Sequence, residues 1–162
     1  MKNILKKIKE IVKKLPPLRL PLDTDYLVVE TDRCESRWGE VLKCKPQKYC
    51  NKNEEEICRY RSENFKEKNF LSINIDHEIL AIVYGLNRFR LFLISRQEIL
   101  VRTNCEAILK FYHNKNSKRI SQRRWLTFKD TLINNNYKII FEHIKGKDNS
   151  LLDQLSRNPT SD

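Results

Sequence analysis

The sequence predicts a mixed α/β architecture, a five-stranded sheet with flanking helices. Three observations point there. Three strand-like segments come before one long, largely apolar helical segment, and strand and helix patterns alternate after it. Only three glycines and five prolines occur in 162 residues, too few for a loop-rich or disordered chain. Hydrophobic residues make up 40% and charged residues 33%, which supplies a core beneath a charged surface. The length suits one compact domain with a short appendage.

Residues 2–14 carry Ile4, Leu5, Ile8, Ile11 and Val12 at helical spacing with lysines between them. This amphipathic helix has two readings, docking on a neighbouring domain or lying on a membrane surface. The absence of an aromatic residue from its apolar face favours docking. Leu15-Pro16-Pro17-Leu18 stops the helix and forms a stiff linker. Residues 26–31 are a β-branched run that ends at Asp32, and residues 37–44 form a second strand. A polar insert with Pro46, Asn51 and Asn53 follows, then a third strand over 57–65, which completes an antiparallel meander.

Residues 75–93 are the strongest helix. Glu78, Ile82, Gly85, Phe89 and Phe92 lie on one stripe, and much of the remaining circumference is apolar too. Gly85 weakens a lone helix, so its use is close packing on the sheet. A fourth strand spans 98–103 and a short helix about 105–112. A further helix runs over about 118–134, with Trp125, Phe128 and Leu132 inward. The fifth strand is 137–144, residues 146–150 turn, and a short helix at 151–156 closes the chain.

The formal charge of +11 and a pI near 9.5 call for a polyanionic partner, nucleic acid or an anionic membrane surface. The basic N-terminus lacks the apolar core and small-residue cleavage site of a signal peptide, and no apolar run is long enough to span a bilayer. An intracellular location is therefore expected. Cys34, Cys44, Cys50, Cys58 and Cys105 are an odd set without paired spacing and are expected to be reduced. Zinc held by Cys44, Cys50 and Cys58 is disfavoured because histidine partners are missing.

Phosphodiester hydrolysis needs an activated water and a stabilised leaving oxygen, which two divalent ions can supply. Hard cations take carboxylate oxygens. Three acids stand where such oxygens would be wanted: Asp32 closes the first strand, Glu78 sits early on the long helix, and Asp153 lies among Leu151, Leu152 and Leu155. Each also has a plain structural reading: a turn cap for Asp32, a flanking position for Glu78, and a helix N-terminal charge for Asp153.

Four stretches carry a family resemblance. They are Val29-Glu30-Thr31-Asp32 with Arg37-Trp38-Gly39-Glu40-Val41-Leu42; His77-Glu78-Ile79-Leu80-Ala81-Ile82-Val83-Tyr84-Gly85-Leu86 with Phe89-Arg90; Val101-Arg102-Thr103-Asn104-Cys105-Glu106-Ala107-Ile108; and His143-Ile144-Lys145-Gly146-Lys147-Asp148-Asn149 with Leu152-Asp153-Gln154-Leu155-Ser156-Arg157. In this order they resemble the ribonuclease H domain of retroelement reverse transcriptases. The likeness is greatest to those of plant pararetroviruses of the badnavirus and tungrovirus group and to related long-terminal-repeat retrotransposons. The resemblance implies an RNase H-like sheet and cleavage of the RNA strand of RNA/DNA hybrids. It further implies two Mg2+ or Mn2+ ions as cofactors and a polymerase and connection region of the same polyprotein as partner. No membrane partner is expected. On this basis residues 1–21 come from the preceding connection region, 22–158 form the domain and 159–162 a tail. The location becomes host cytoplasm or virion.

The family's four-carboxylate metal site maps onto Asp32, Glu78, Asn104 and Asp153, with Asn104 standing where the family has Asp. An amide lacks the charge that offsets a cation and its donor end repels one, so weak metal binding and little cleavage are expected. Two origins fit: a deliberate exchange that traps substrate uncut, favoured by the three intact acids, or a natural loss of activity. A non-catalytic hybrid-binding or connection module is the alternative function. An integrase or transposase relative shares the fold but has a different acid pattern, and the residues 152–156 argue against it.

For the substrate, phosphate contacts dominate duplex affinity. Lys115, Lys118, Arg119, Arg123 and Arg124 form the densest basic run, which a solvated helix face explains equally well. Arg37, Cys105, Glu106 and the neighbouring backbone are candidates to read ribose 2′-hydroxyls. Lys147 falls near the loop position where cellular relatives carry a histidine that helps product leave. His143, on the strand, is read as structural.

Overall fold

The computed structural model describes residues 2–14, 17–33, 37–64, 74–113, 126, 128, 130 and 134–145. Helix α1 (Lys2–Lys13) comes first. It keeps Ile4 and Leu5 exposed. Strands β1 (Tyr26–Arg33), β2 (Arg37–Lys45) and β3 (Glu56–Asn64) form the expected antiparallel meander. The β2–β3 register shifts between Leu42 and Lys43. Arg19 of the linker donates its backbone N–H to the Ile57 carbonyl at 2.9 Å, which satisfies part of the open edge of β3.

The chain then crosses the sheet. Helix α2 (Asn74–Arg88) and short helix α3 (Arg90–Leu93) lead to β4 (Glu98–Thr103), helix α4 (Glu106–His113) and β5 (Lys138–His143). The sheet order is β3-β2-β1-β4-β5, with β1–β4 and β4–β5 parallel. Parallel neighbours need a crossover, and α2 and α4 belong to the two connections that make them. The architecture is the mixed five-stranded sheet with flanking helices that the sequence predicts.

The expected helix over 75–93 is two helices. Phe89 leaves helical geometry, with φ −91° and ψ 6°. Phe89 and Leu93, four residues apart, both face the core across the break, while Leu91 stays 88% exposed. The expected inward aromatic Phe128 is buried beside Phe141. Trp125, Leu132 and the closing helix at 151–156 lie outside the described residues.

One sheet face carries the apolar core. Leu27, Val29, Leu42, Val101 and Ile139 pack there against Ile79, Ile82 and Leu86 of α2. Gly85 allows the approach: a Cβ there would lie 2.8 Å from Glu40 Oε2 and 3.3 Å from Thr31 Cγ2. Glu40 itself is fully buried, and neither carboxylate oxygen has a hydrogen-bond partner. Burial pushes its pKa up from 4.5 to about 8, with Arg61 and Arg88 pulling against it.

The opposite face is built on charge. Glu30, Arg102 and Glu142 lie in one row across β1, β4 and β5. The Arg102 guanidinium donates to Glu30 at 2.9 Å, to both oxygens of Glu55 at 2.7 Å, and to Glu142. Lys43 bonds Glu30 at 2.7 Å. The Arg102, Glu30 and Glu55 side chains are all at most 4% exposed. Arg102 thus ties three strands and the β2–β3 connection through one planar cation.

Two outcomes follow. Arg102→Leu strands Glu30 and Glu55 with only Lys43, and should cost about 3–5 kcal/mol in urea denaturation. Glu142→Gln, whose side chain is 44% exposed, should cost under about 1 kcal/mol. For Glu40, the raised folded pKa means the unfolded chain ionises first. Stability should therefore fall as pH rises from about 4.5 to about 8 and level off above. Glu40→Gln removes that fall, so it should be more stable than the parent at pH 9 and similar at pH 4 in paired thermal melts.

Candidate active site at the carboxyl ends of the parallel strands

The register decides what meets here. Thr31, Thr103 and His143 form one row across β1, β4 and β5. The next residues, Asp32 and Asn104, therefore emerge side by side at the carboxyl ends of parallel strands, where open α/β sheets bind ligands. Asn104 Nδ2 donates to Asp32 Oδ1 at 3.0 Å. Asp32 is 5% exposed.

Glu78 reaches this point from the first half of α2 and is 7% exposed. Burial raises its pKa from 4.5 to about 7; Arg33 opposes the shift and the Asp32 charge adds to it. Glu78 Oε1 accepts from Arg33 Nε at 3.0 Å, while Oε2 is buried with no hydrogen-bond partner. Arg33 follows Asp32 directly, so strand alternation turns it to the face that α2 covers. Arg33 was not singled out by the sequence reading. The signal was available: a cation one residue past the candidate acid, in phase with Val29 and Thr31 beneath the helix that bears Glu78.

Three of the four sequence-predicted positions, Asp32, Glu78 and Asn104, thus converge. Asp153 lies outside the described residues, as do Lys115, Lys118, Arg119, Arg123, Arg124 and Lys147. Arg37 opens β2 and is half-buried. Cys105 is half-buried, its backbone N–H donates to Thr103 Oγ1 at 3.2 Å, and burial pushes its thiol pKa up. Glu106 begins α4, exposed, and pairs with Lys110 at 2.9 Å. His143 Nε2 lies 3.2 Å from the Asn104 carbonyl oxygen, so this histidine braces the loop that carries Asn104. Cys44, Cys50, Cys58 and Cys105 are free thiols.

A family described as the RNase H-like domain found in reverse transcriptase matches residues 23–130. The chain belongs to this family. It is 42% identical over 155 residues to Polyprotein P3 of Commelina yellow mottle virus, covering 96% of this chain and 8% of that polyprotein. It is 34% identical over 161 residues to the enzymatic polyprotein of Cauliflower mosaic virus (strain NY8153), covering 94% of this chain and 22% of that one. The RNase H-like domain thus spans under a quarter of the polyproteins it matches.

The fold is shared with solved structures at low identity. One is LC11-RNase H1 in complex with an RNA/DNA hybrid, at TM-score 0.58 and 17% identity, covering 80% of this chain and 92% of that one. Another is the foamy viral protease-reverse transcriptase in complex with dsDNA, at TM-score 0.60 and 16% identity, covering 90% and 29%. Among the described residues no helix is long and apolar enough to cross a membrane.

Proposed function

We propose that this RNase H-like domain grips an RNA/DNA hybrid as the ribonuclease H part of a viral reverse-transcriptase polyprotein, with hydrolysis of the RNA strand weakened by Asn104. The observation that carries the reading is the convergence of Asp32, Glu78 and Asn104 at the carboxyl ends of β1 and β4 and on α2. A net charge of +11 supports a polyanionic substrate.

The residues fit a hard divalent cation in donor type. Asp32 and Glu78 are buried carboxylates, and Glu78 Oε2 is a buried oxygen with no hydrogen-bond partner. Among the described residues no group of three or more His, Cys, Asp or Glu side chains could hold a metal ion, which leaves the pair of ions dependent on Asp153. Mg2+ or Mn2+ held by these carboxylates would supply an activated water and charge for the leaving oxygen. The chain's own residues orient the scissile strand. Asp32 and Glu78 hold carboxyl oxygens in a water-poor corner, and the turn from Asn104 to Glu106, braced by His143, borders it. The ribose 2′-hydroxyls would distinguish the RNA strand at Arg37 and at this turn.

The Asn104–Asp32 hydrogen bond favours a second reading, a binding module without cleavage. One experiment separates them. The 162-residue chain and Asn104→Asp are compared for cleavage of a labelled RNA/DNA hybrid in Mg2+, with binding read by anisotropy at rising salt. The parent should bind hybrid, more weakly as salt rises, and cut little. Asn104→Asp should cut the RNA strand alone, faster by about ten-fold or more, the scale on which groups around a metal site tune its activity. Binding without cutting in both proteins selects the module. Absence of hybrid binding rejects both readings.

A further inference from the structure

Both described carboxylates of the site already have a partner from this chain. Asn104 Nδ2 donates to Asp32 Oδ1 at 3.0 Å, and Arg33 Nε donates to Glu78 Oε1 at 3.0 Å. The second contact is an ion pair in a nearly dry place, the Arg33 and Glu78 side chains being 14% and 9% exposed. Its cation is permanent, because a guanidinium does not deprotonate in a protein.

We propose that Arg33 is a built-in counter-cation of Glu78 that competes with a divalent ion for that carboxylate and sets the metal affinity of the site. The inference rests on the reading of Asp32 and Glu78 as metal ligands. With both carboxylates ionised, Asp32, Glu78 and Arg33 together carry one net negative charge. A divalent ion drawn to the two carboxylates meets the guanidinium as a like charge, with little water between them to screen it. The ion binds only by displacing Arg33 from Glu78 or by tolerating it alongside. Arg33 acts through Glu78 and not on substrate, so it is a positioning residue.

The consequence concerns repair of the site. Asn104→Asp restores one carboxylate and leaves the competitor in place. Full metal affinity requires a change at Arg33 as well.

The test reads metal binding directly, with MnCl2 alone and no nucleic acid, by the electron paramagnetic resonance of free Mn2+. Asn104→Asp is the parent, and Arg33→Gln and Arg33→Lys are added to it. Gln removes the charge but keeps an amide that can donate to Glu78; Lys keeps the charge. Arg33→Gln should raise Mn2+ affinity by about ten-fold or more, the scale on which neighbours of a metal ligand tune binding. Arg33→Lys should leave it near the parent. Equal affinity in the Gln variant and the parent overturns the proposal, as does an equal gain with Lys. Circular dichroism checks the fold, and Arg33→Ala, read the same way, replaces the Gln variant if that one does not fold. Mn2+ binding absent from every Arg33 variant and from the parent, or left unchanged by Glu78→Gln, overturns the metal-ligand reading itself. Hybrid binding, measured separately, reports on the substrate.

Discussion

Antiparallel strands send successive chain ends to opposite edges of a sheet, whereas parallel strands bring like ends together. β1 is antiparallel to β2 but parallel to β4, and that switch sets Asp32 beside Asn104. A slip of one residue between β1 and β4 would turn every side chain of a strand to the other face and separate the two. The buried Arg102 opposes such a slip. It bonds Glu30 across the β1–β4 pair and Glu142 across the β4–β5 pair, each in register. Buried ion pairs are poor sources of net stability, and in some proteins they fix one arrangement over its neighbours. The charged back face of the sheet and the site at its end are therefore one device.

The electrostatics of the site follow from the same geometry. Asp32 and Glu78 approach each other in a place with little water, so burial and mutual repulsion both oppose the charged form of Glu78. Something positive must stand near them. In this chain Arg33 bonds Glu78, and the donor end of the Asn104 amide bonds Asp32. The site thus satisfies part of its own demand for positive charge, which would lower what a divalent ion gains there, as proposed above.

Much of this was legible in the sequence, and the failures have physical causes. The strand Glu98–Thr103 was readable to the residue because a β-branched run is bounded by polar turns. Asp32, Glu78 and Asn104 were singled out because their motifs occur in one order along the chain; the structure brings them together, and their roles stay with the proposal. The break at Phe89 was not legible, since apolar periodicity continues across it and Phe89 and Leu93, four residues apart, share one helical face with or without it. Arg102 was read only as part of the fourth strand and its motif; its burial depends on Glu30, Glu55 and Glu142, from three separate parts of the chain, and local pattern carries no trace of that. Glu40 gave no warning either, because its burial comes from the helix that Gly85 lets close over it. Asp153 and the basic run from Lys115 to Arg124 lie outside the described residues, so their roles remain those the sequence proposes.

The proposed holding of hybrid where β1, β4 and α2 meet is tested most directly by titrating a short RNA/DNA hybrid into 15N-labelled protein and following backbone amide shifts. The largest changes should fall on Asp32, Arg33, Glu78 and the turn from Asn104 to Glu106, with smaller changes for a DNA duplex of the same sequence. Changes confined to other surfaces, with these residues unmoved, would contradict it.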